Sequence, residues 1–345
     1  MKQSWQWTVV FAVGFRIFTQ AILLERAAYN ACWMTPLLGF ALALPAVLIA
    51  ARRWNASRST QFPTHIAGYG LRWLAIAYLL LDTAQMVLLF QEAGQFSSLS
   101  NYPSFFLSAL LLLTSLFVIR QNRNGVFGTG SAIKSMLWII LGLLTLFRIP
   151  EMHGNHLFPI LGGGWRPLLL GGLSTAGIAL QFLILLSVAP DLEPNPRAIV
   201  GMWAVCCVGA SAMVAIETML SAIIPPEQSG IIEALERLLA SGRTSVSLQL
   251  PLYLAWFAVH FITICVNLKC MASMGSEIAR REENAWIRVI AVAAVAAVAV
   301  AGNRLLGGQL SMLLQWPGAL RYAALALAAL ILWIPDRTSR KAVSA

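Results

Sequence analysis

Apolar residues in this chain occur in long runs separated by short polar segments, and the pattern recurs from Trp7 to Trp333. The runs are about 18 to 25 residues long, which lets an α-helix cross a hydrocarbon core of about 30 Å. A transmembrane barrel would instead show alternating segments of about ten residues. The pattern therefore predicts an all-α integral membrane protein.

About ten spans follow from this pattern, with breaks at proline and glycine clusters or at charges. The break between the first two spans depends on Arg26 and Asn30. Residues 1–345 are predicted to form a single transmembrane domain. The predicted spans cover residues 7–29, 31–51, 68–91, 103–120, 132–149, 165–189, 198–224, 246–271, 285–302 and 317–334.

Composition supports the bilayer as the solvent of this chain, since 59% of its residues are hydrophobic and only 11% are charged. The first run contains Arg16 and Gln20 and has no small-x-small cleavage site, so we interpret it as a span and not as a signal peptide. The five cysteines lie in or beside apolar runs and form no C-x-x-C pair. We predict that they are buried small hydrophobic residues: Cys32, Cys206, Cys207, Cys265 and Cys270.

The net charge of +10 would favour nucleic acid as the partner of a soluble protein, but here the basic residues are spread over short loops. By the positive-inside rule, loops rich in Lys and Arg face the cytoplasm. This predicts a multi-pass protein of the cell membrane with both termini cytoplasmic, the lipid bilayer around it and no nucleic-acid partner. The basic residues used are Arg52, Arg53, Arg58, Arg120, Arg123, Lys134, Lys269, Arg280, Arg281, Arg337, Arg340 and Lys341.

One predicted outer connection, between Ser229 and Gly242, has the spacing of a short amphipathic helix. Such a helix would lie along the membrane interface or cover the outer face, or it would simply pack on the surface. Its apolar residues are Ile231, Ile232, Leu235, Leu238 and Leu239.

No motif of a hydrolase, a P-loop or a zinc protease is present, so the sequence predicts neither an enzyme nor an ATP-driven pump. No cofactor is expected. Glu151, His153 and His156 have metal-binding side chains, but solvated loop polarity explains them better, and no metal site is predicted.

Polar side chains inside the apolar spans are the best candidates for function, because a charge in hydrocarbon is costly and faces a partner or a cavity. For each of them, pairing within the protein remains as good an explanation as ligand contact. We predict on charge complementarity that Arg16 and Asp82 pair. The full set is Arg16, Gln20, Asp82, Gln85, Gln181, Glu217 and His260.

The sixth span begins after Gly162–Gly164 and contains the glycine-rich segment Gly171–Gly177. Such a segment can unwind, and the ends of a broken helix bind charged groups of a ligand. The alternative is that these glycines only let a neighbouring helix approach closely. Ten spans also divide into two sets of five that would cross the membrane in opposite directions, so that span six corresponds to span one.

Three stretches carry a family resemblance: Asn155–Leu161, Arg166–Gly172 and Ala189–Leu192. They resemble the endospore germination permeases, the B subunits of spore germinant receptors, and residues 236–257 are similar to the same family. The resemblance implies the amino acid–polyamine–cation permease fold. That fold would have inverted repeats over about 7–149 and 165–334, broken first and sixth helices, and an amino-acid-like ligand near the midplane. In span one the sequence departs from the family pattern, since Phe18–Ile22 replaces the expected glycine-containing break.

The resemblance implies a receptor subunit in the inner spore membrane that binds a small nutrient of the amino-acid class. It would signal to a larger membrane subunit and a lipoprotein. The alternatives are a secondary amino-acid transporter and a membrane scaffold without a ligand. For the ligand site we predict the segment around Gly171, Gly172, Ser174 and Thr175, facing Thr19 and Gln20 of span one.

Overall fold

The computed structural model describes residues 2–23, 29–57, 66–96, 104–120, 149–158, 164–188, 195–220, 249–280, 282, 284–305 and 317–333. Within these ranges the chain is helical and has no β-strand. The α-helices are α1 (Lys2–Leu23), α2 (Thr35–Ser57), α3 (Ile66–Phe96), α4 (Ser104–Arg120), α5 (Trp165–Gly177), α6 (Ala179–Ser187), α7 (Pro196–Leu220), α8 (Gln249–Ala279), α9 (Ala285–Leu305) and α10 (Pro317–Trp333). Short 3₁₀ helices cover Tyr29–Met34, Ile149–Glu151 and Gly154–Leu157.

Six of these helical segments are long and apolar enough to cross a membrane, and two shorter apolar helices, Phe106–Arg120 and Gly318–Trp333, accompany them. α1 has a comparable length of 22 residues but carries Arg16 and Gln20, and it is not among the six. The predicted fifth span and the predicted amphipathic helix lie outside the described residues. The six long apolar segments are Asn30–Ala56, Gly68–Gln91, Trp165–Ser187, Pro196–Met219, Phe257–Ala279 and Ala285–Gly302.

The outer surface of the bundle is apolar, as a lipid-facing surface must be. Leu81 is 63% exposed and Leu113 is 56% exposed although both lie in the interior of their helices. Exposed tryptophans stand at helix ends, at Trp165, Trp286 and Trp333, where amphipathic rings favour the membrane interface. The protein is therefore a multi-pass helical membrane protein.

Capping residues in the sequence determine where two of the helices begin. The side chain of Asn195 accepts a hydrogen bond from Arg197 N at 3.0 Å, and Pro196 fills the first helical position of α7. At α9, Asn284 Oδ1 accepts from Ile287 N at 3.0 Å. Both caps satisfy backbone donors that the first turn of a helix leaves without partners.

α3 and α8 form a long antiparallel pair at the centre of the bundle. Arg72 contacts Glu277 near one end of the pair. Phe90 contacts Phe257 towards the other end, with 4.7 Å between ring centroids. Both helices are 31 residues long and bury most of their apolar length, so their middle turns lie in the interior. They are the elements that position polar groups there.

α5 packs through small residues against two neighbours, α2 and α10. A Cβ added to Gly172 would lie 2.6 Å from the Leu38 side chain, and one added to Gly39 would lie 2.5 Å from the Thr175 side chain. Towards α10, a Cβ on Gly177 would come within 2.9 Å of the Arg321 carbonyl carbon. The span-six glycines thus permit close helix approach, which is the alternative role considered for them.

The sixth predicted span is interrupted after Gly177 and not at Gly171. Ile178 N donates to Thr175 O at 3.0 Å, a tightened turn that separates α5 from α6. α1 runs without interruption from Lys2 to Leu23, whereas the resemblance implied a broken first helix. The difference has a local cause, because no glycine lies between Gly14 and Leu23 to lower the cost of a break.

Of the two residues on which the predicted break between the first two spans depends, Arg26 lies outside the described residues and Asn30 lies in the 3₁₀ helix Tyr29–Met34, which precedes the start of α2 at Thr35. The placement of Lys269 in a cytoplasmic loop was wrong. α8 continues to Ala279, so Lys269 is buried in that helix and its Nζ donates to Ile119 O of α4 at 3.4 Å. The apolar run alone underestimated the length of α8, because polar residues near its end are covered by neighbouring helices.

Candidate functional site

Asp82 is the centre of a buried polar cluster and lies near the middle of α3 with 1% of its surface exposed. Tyr78, Asp82 and Gln85 follow each other at helical spacing, so they share one face of α3. Arg16 and Gln20 share a face of α1 for the same reason. Two polar helix faces therefore meet inside an otherwise apolar bundle.

Arg16 binds both acceptors that α3 offers. Its Nε donates to Asp82 Oδ1 at 2.9 Å, and its Nη2 donates to Gln85 Oε1 at 2.7 Å. Nη2 also lies 2.9 Å from Asp82 Oδ1, which makes the contact an ion pair. The predicted pairing of Arg16 with Asp82 is confirmed.

A second arginine, Arg321 of α10, reaches the same acceptors. Its Nη2 lies 2.9 Å from Asp82 Oδ1 and also donates to Gln85 Oε1. Its Nη1 donates to Gln20 Oε1 of α1 at 3.1 Å. Arg321 is 6% exposed, so α10 delivers a buried positive charge to the interface of α1 and α3.

On the other side of Asp82 the cluster continues through two amides. Asn267 of α8 donates from Nδ2 to Asp82 Oδ2 at 3.5 Å, and Gln181 of α6 donates from Nε2 to Asn267 Oδ1 at 3.0 Å. Asp82 therefore connects five helices, α1, α3, α6, α8 and α10. The hydrogen bonds of this network restrict the relative positions of the five helices.

Among the described residues, the charges of this cluster do not balance. Arg16 and Arg321 are both positive, and Asp82 supplies the negative charge that they share. Three polar atoms of the cluster are buried without a hydrogen-bond partner: Arg16 Nη1, Gln85 Nε2 and Gln181 Oε1. Native proteins satisfy nearly all buried polar atoms, so orphaned atoms grouped at one site indicate a place where a further group can bind.

The predicted ligand residues fall into two groups. On α1, Thr19 Oγ1 donates to Phe15 O within its own helix at 3.0 Å, while Gln20 is held by Arg321. On α5, Gly171, Gly172, Ser174 and Thr175 are buried within a continuous helix. A Cβ on Gly318 of α10 would lie 2.9 Å from the Ser174 Cβ, so Ser174 faces α10. The structure thus brings Gln20 to the polar cluster and sets the α5 residues against α2 and α10.

One α5 residue keeps an open hydrogen-bonding group. Thr175 Oγ1 is buried and has no hydrogen-bond partner, and the residue is fully covered. Beyond it, Gly177 O accepts a hydrogen bond from Tyr78 OH of α3 at 3.3 Å. The interruption at Ile178 is therefore tied to the same face of α3 that carries Asp82.

The remaining sequence candidates lie away from this centre or play packing roles. His260 of α8 is fully buried, and its ring meets Phe15 edge-on at 5.2 Å between centroids. Glu217 is buried near the end of α7. His156 Nδ1 lies 3.2 Å from Met219 O, beside the ring of His153. All five cysteines are buried, as predicted.

Three members of the cluster were not among the sequence candidates: Arg321, Asn267 and Tyr78. For Tyr78 and Asn267 a signal existed, since Tyr78 shares the helical face of Asp82 and Asn267 is an amide inside an apolar run. Arg321 was missed because an arginine so near the start of a span usually extends to the interface.

The geometry defines the class of the protein: a multi-pass helical membrane protein with a charged network buried at its centre. A family model described as spore germination protein matches residues 2–304. That is more than half of the chain, so the protein belongs to this spore germination permease family. No curated protein matches the chain significantly. The resemblance seen in Asn155–Leu161 and the two later stretches is thereby confirmed.

Proposed function

We propose that this protein is the nutrient-binding membrane subunit of a spore germinant receptor. Its ligand is a small nutrient of the amino-acid class, and its partners are a larger membrane subunit and a lipoprotein. Family membership over residues 2–304 carries the proposal. A buried cluster that connects five helices adds support, since a ligand that alters one of its contacts would shift several helices together.

The proposed architecture is ten spans arranged as inverted repeats over about 7–149 and 165–334, with both termini cytoplasmic. Nine of the ten predicted spans correspond to helices in the described part of the chain, α5 and α6 together forming the sixth. The interruption of the sixth span at Ile178 supports a ligand site beside it, because interrupted helices form the ligand sites of many membrane transporters.

We place the nutrient between α1 and the α5 segment that holds Gly171, Gly172, Ser174 and Thr175, next to Thr19 and Gln20. The amides of Gly171 and Gly172 lie within the continuous helix α5, so side-chain hydroxyls are better candidates for direct contact. The orphaned hydroxyl of Thr175 is the strongest of these. A ligand that hydrogen-bonds to it would satisfy a buried group that the protein leaves open.

Thr175→Val tests this site with little risk to the fold. Valine has the shape of threonine and removes only the hydroxyl, which has no protein partner here. Spores lacking the gene should lose their response to one class of nutrient, and the variant should restore that response only at several-fold higher nutrient concentration. Abundance in the membrane should equal that of the unaltered protein.

Thr114→Val is the matched control, because Thr114 is an exposed residue of α4 whose hydroxyl bonds back to Leu110 O at 2.8 Å. Its nutrient response should be normal. A normal response of Thr175→Val at normal abundance would remove Thr175 from the site. An unchanged response of spores lacking the gene would refute the receptor function, and uptake of labelled nutrient by this chain alone would favour the transporter alternative.

A further inference from the structure

Asp82 is the one carboxylate that two buried arginines share among the described residues. Arg16 and Arg321 both bind Oδ1 of this one carboxylate, and all three residues are at most 6% exposed. Their formal charges add up to one excess positive charge. An uncompensated charge inside a membrane bundle is costly, so the cluster favours a group that brings one negative charge.

The orphaned donors show where such a group would bind. Arg16 Nη1 and Gln85 Nε2 are buried without partners. The two residues are also joined directly, since Arg16 Nη2 donates to Gln85 Oε1 at 2.7 Å. Both arginines donate to Gln85 Oε1, which fixes the orientation of this amide, so Nε2 is the amide atom left without a partner. The unpartnered nitrogen of the cation and that of the amide therefore belong to two residues in direct contact.

We propose that these two donors form a subsite for a small monocarboxylate, whose oxygens accept hydrogen bonds from Arg16 Nη1 and Gln85 Nε2. This rests on the proposed function and names the charged group by which the nutrient is recognised. A planar carboxylate matches two neighbouring N–H donors better than a spherical halide does. A single negative charge balances the cluster, whereas a dianion would overcompensate it.

The second arginine, Arg321 of α10, creates the charge imbalance. Because it shares Oδ1 with Arg16, Asp82 neutralises neither arginine fully. If Arg321 were absent, Arg16 and Asp82 would balance each other, and the need for a further anion would disappear.

The test uses the full chain purified in detergent and follows its thermal unfolding with added sodium propionate, sodium chloride or propionamide. Propionate should raise the unfolding temperature in a saturable manner. Propionamide has the same shape without the charge and should have no effect, and chloride at equal ionic strength should have less effect than propionate. Equal stabilisation by chloride or by propionamide would overturn the proposal, as would the absence of any propionate effect.

Arg16→Gln localises the site. The variant retains Arg321 and Asp82 in a one-to-one pair, so it should unfold close to the temperature of the unaltered protein. Its apparent affinity for propionate should fall about tenfold or more, since a hydrogen bond to a charged group is lost. Arg72→Gln is the control and should keep the full effect, because Arg72 pairs with Glu277 at a distant turn of α3. Undiminished affinity in Arg16→Gln would contradict the proposal.

The two proposals fail in different ways. If purified protein responds to propionate but deletion of the gene leaves germination unchanged, the subsite is retained and the receptor function is refuted. If deletion abolishes a nutrient response but propionate has no effect on the purified protein, the receptor function is retained and the carboxylate subsite is refuted. Should Arg16→Gln not accumulate, Arg321→Gln takes its place, because it also restores the charge balance.

Discussion

Arg321 belongs to two interfaces of opposite chemistry. Its backbone and Cβ pack against Gly177 of α5, while its guanidinium group binds Asp82 of α3. The α5 interface depends on small residues and has no space for added atoms. The interface of α1, α3 and α10 depends on the pairing of buried charges. One helix therefore joins a contact set by shape to a contact set by electrostatics, and the two respond to different substitutions.

The largest effect is expected at the carboxylate that both arginines share. Asp82→Asn keeps the shape of the side chain but leaves two buried guanidinium groups without a negative partner. Removal of one partner from a buried ion pair costs about 3–5 kcal/mol. Abundance in the membrane and the unfolding temperature in detergent should both fall sharply, and near-normal values would mean that water reaches the cluster.

The close packing of α5 against α10 should be sensitive to a single added methyl group. In Gly177→Ala the new Cβ would collide with backbone atoms of α10, which cannot move as a side-chain end does. Overpacking of this kind costs about 1–3 kcal/mol. The control is Gly201→Ala on α7, where an added Cβ meets nothing within 4 Å and the change should be neutral or slightly stabilising. Equal unfolding temperatures of the two variants would contradict the close packing of α5 on α10.

A smaller effect is expected when one of the two positive charges is removed. Arg16→Gln leaves Asp82 paired with Arg321 alone, so the loss of two hydrogen bonds is offset by the removal of an uncompensated charge. We expect a change of about 1 kcal/mol or less, on the scale of hydrogen bonds between membrane helices. A loss as large as that of Asp82→Asn would show that Arg16 carries the main structural contact.

The smallest effect is expected for a pair at the edge of the bundle. Arg72 Nε lies 2.8 Å from Glu277 Oε2, but the Glu277 side chain is 45% exposed. Pairs of this kind contribute about 0–1 kcal/mol and weaken with salt. Arg72→Gln should lower the unfolding temperature slightly at low ionic strength and less at high ionic strength. A large effect that does not depend on salt would contradict this account.

The sequence contained enough information for part of the charged interface. Arg16 and Asp82 are opposite charges in apolar runs, and the cost of either one alone made their pairing predictable. Gln85 shares the helical face of Asp82 and was singled out for the same reason. Burial of a charge restricts its partners strongly, so a few residues were sufficient to identify this contact.

The close packing of α5 against its neighbours was harder to predict from the sequence. A glycine cluster such as Gly171–Gly177 fits both an unwound segment and a close helix crossing, and periodicity does not distinguish them. The structure shows a continuous helix over Gly171 and a tightened turn only at Ile178. Arg321 was missed because its burial depends on where α10 crosses the bundle, which is a tertiary property.

The central claim is that Arg16 and Arg321 share Asp82, so that the cluster holds one positive charge in excess. A double-mutant cycle of Arg16→Gln and Asp82→Asn, measured as free energies of unfolding in detergent, tests it most directly. The double variant should be more stable than Asp82→Asn alone, because one of the two unpaired arginines is gone. Losses that simply add, with the double variant less stable than either single variant, would contradict it.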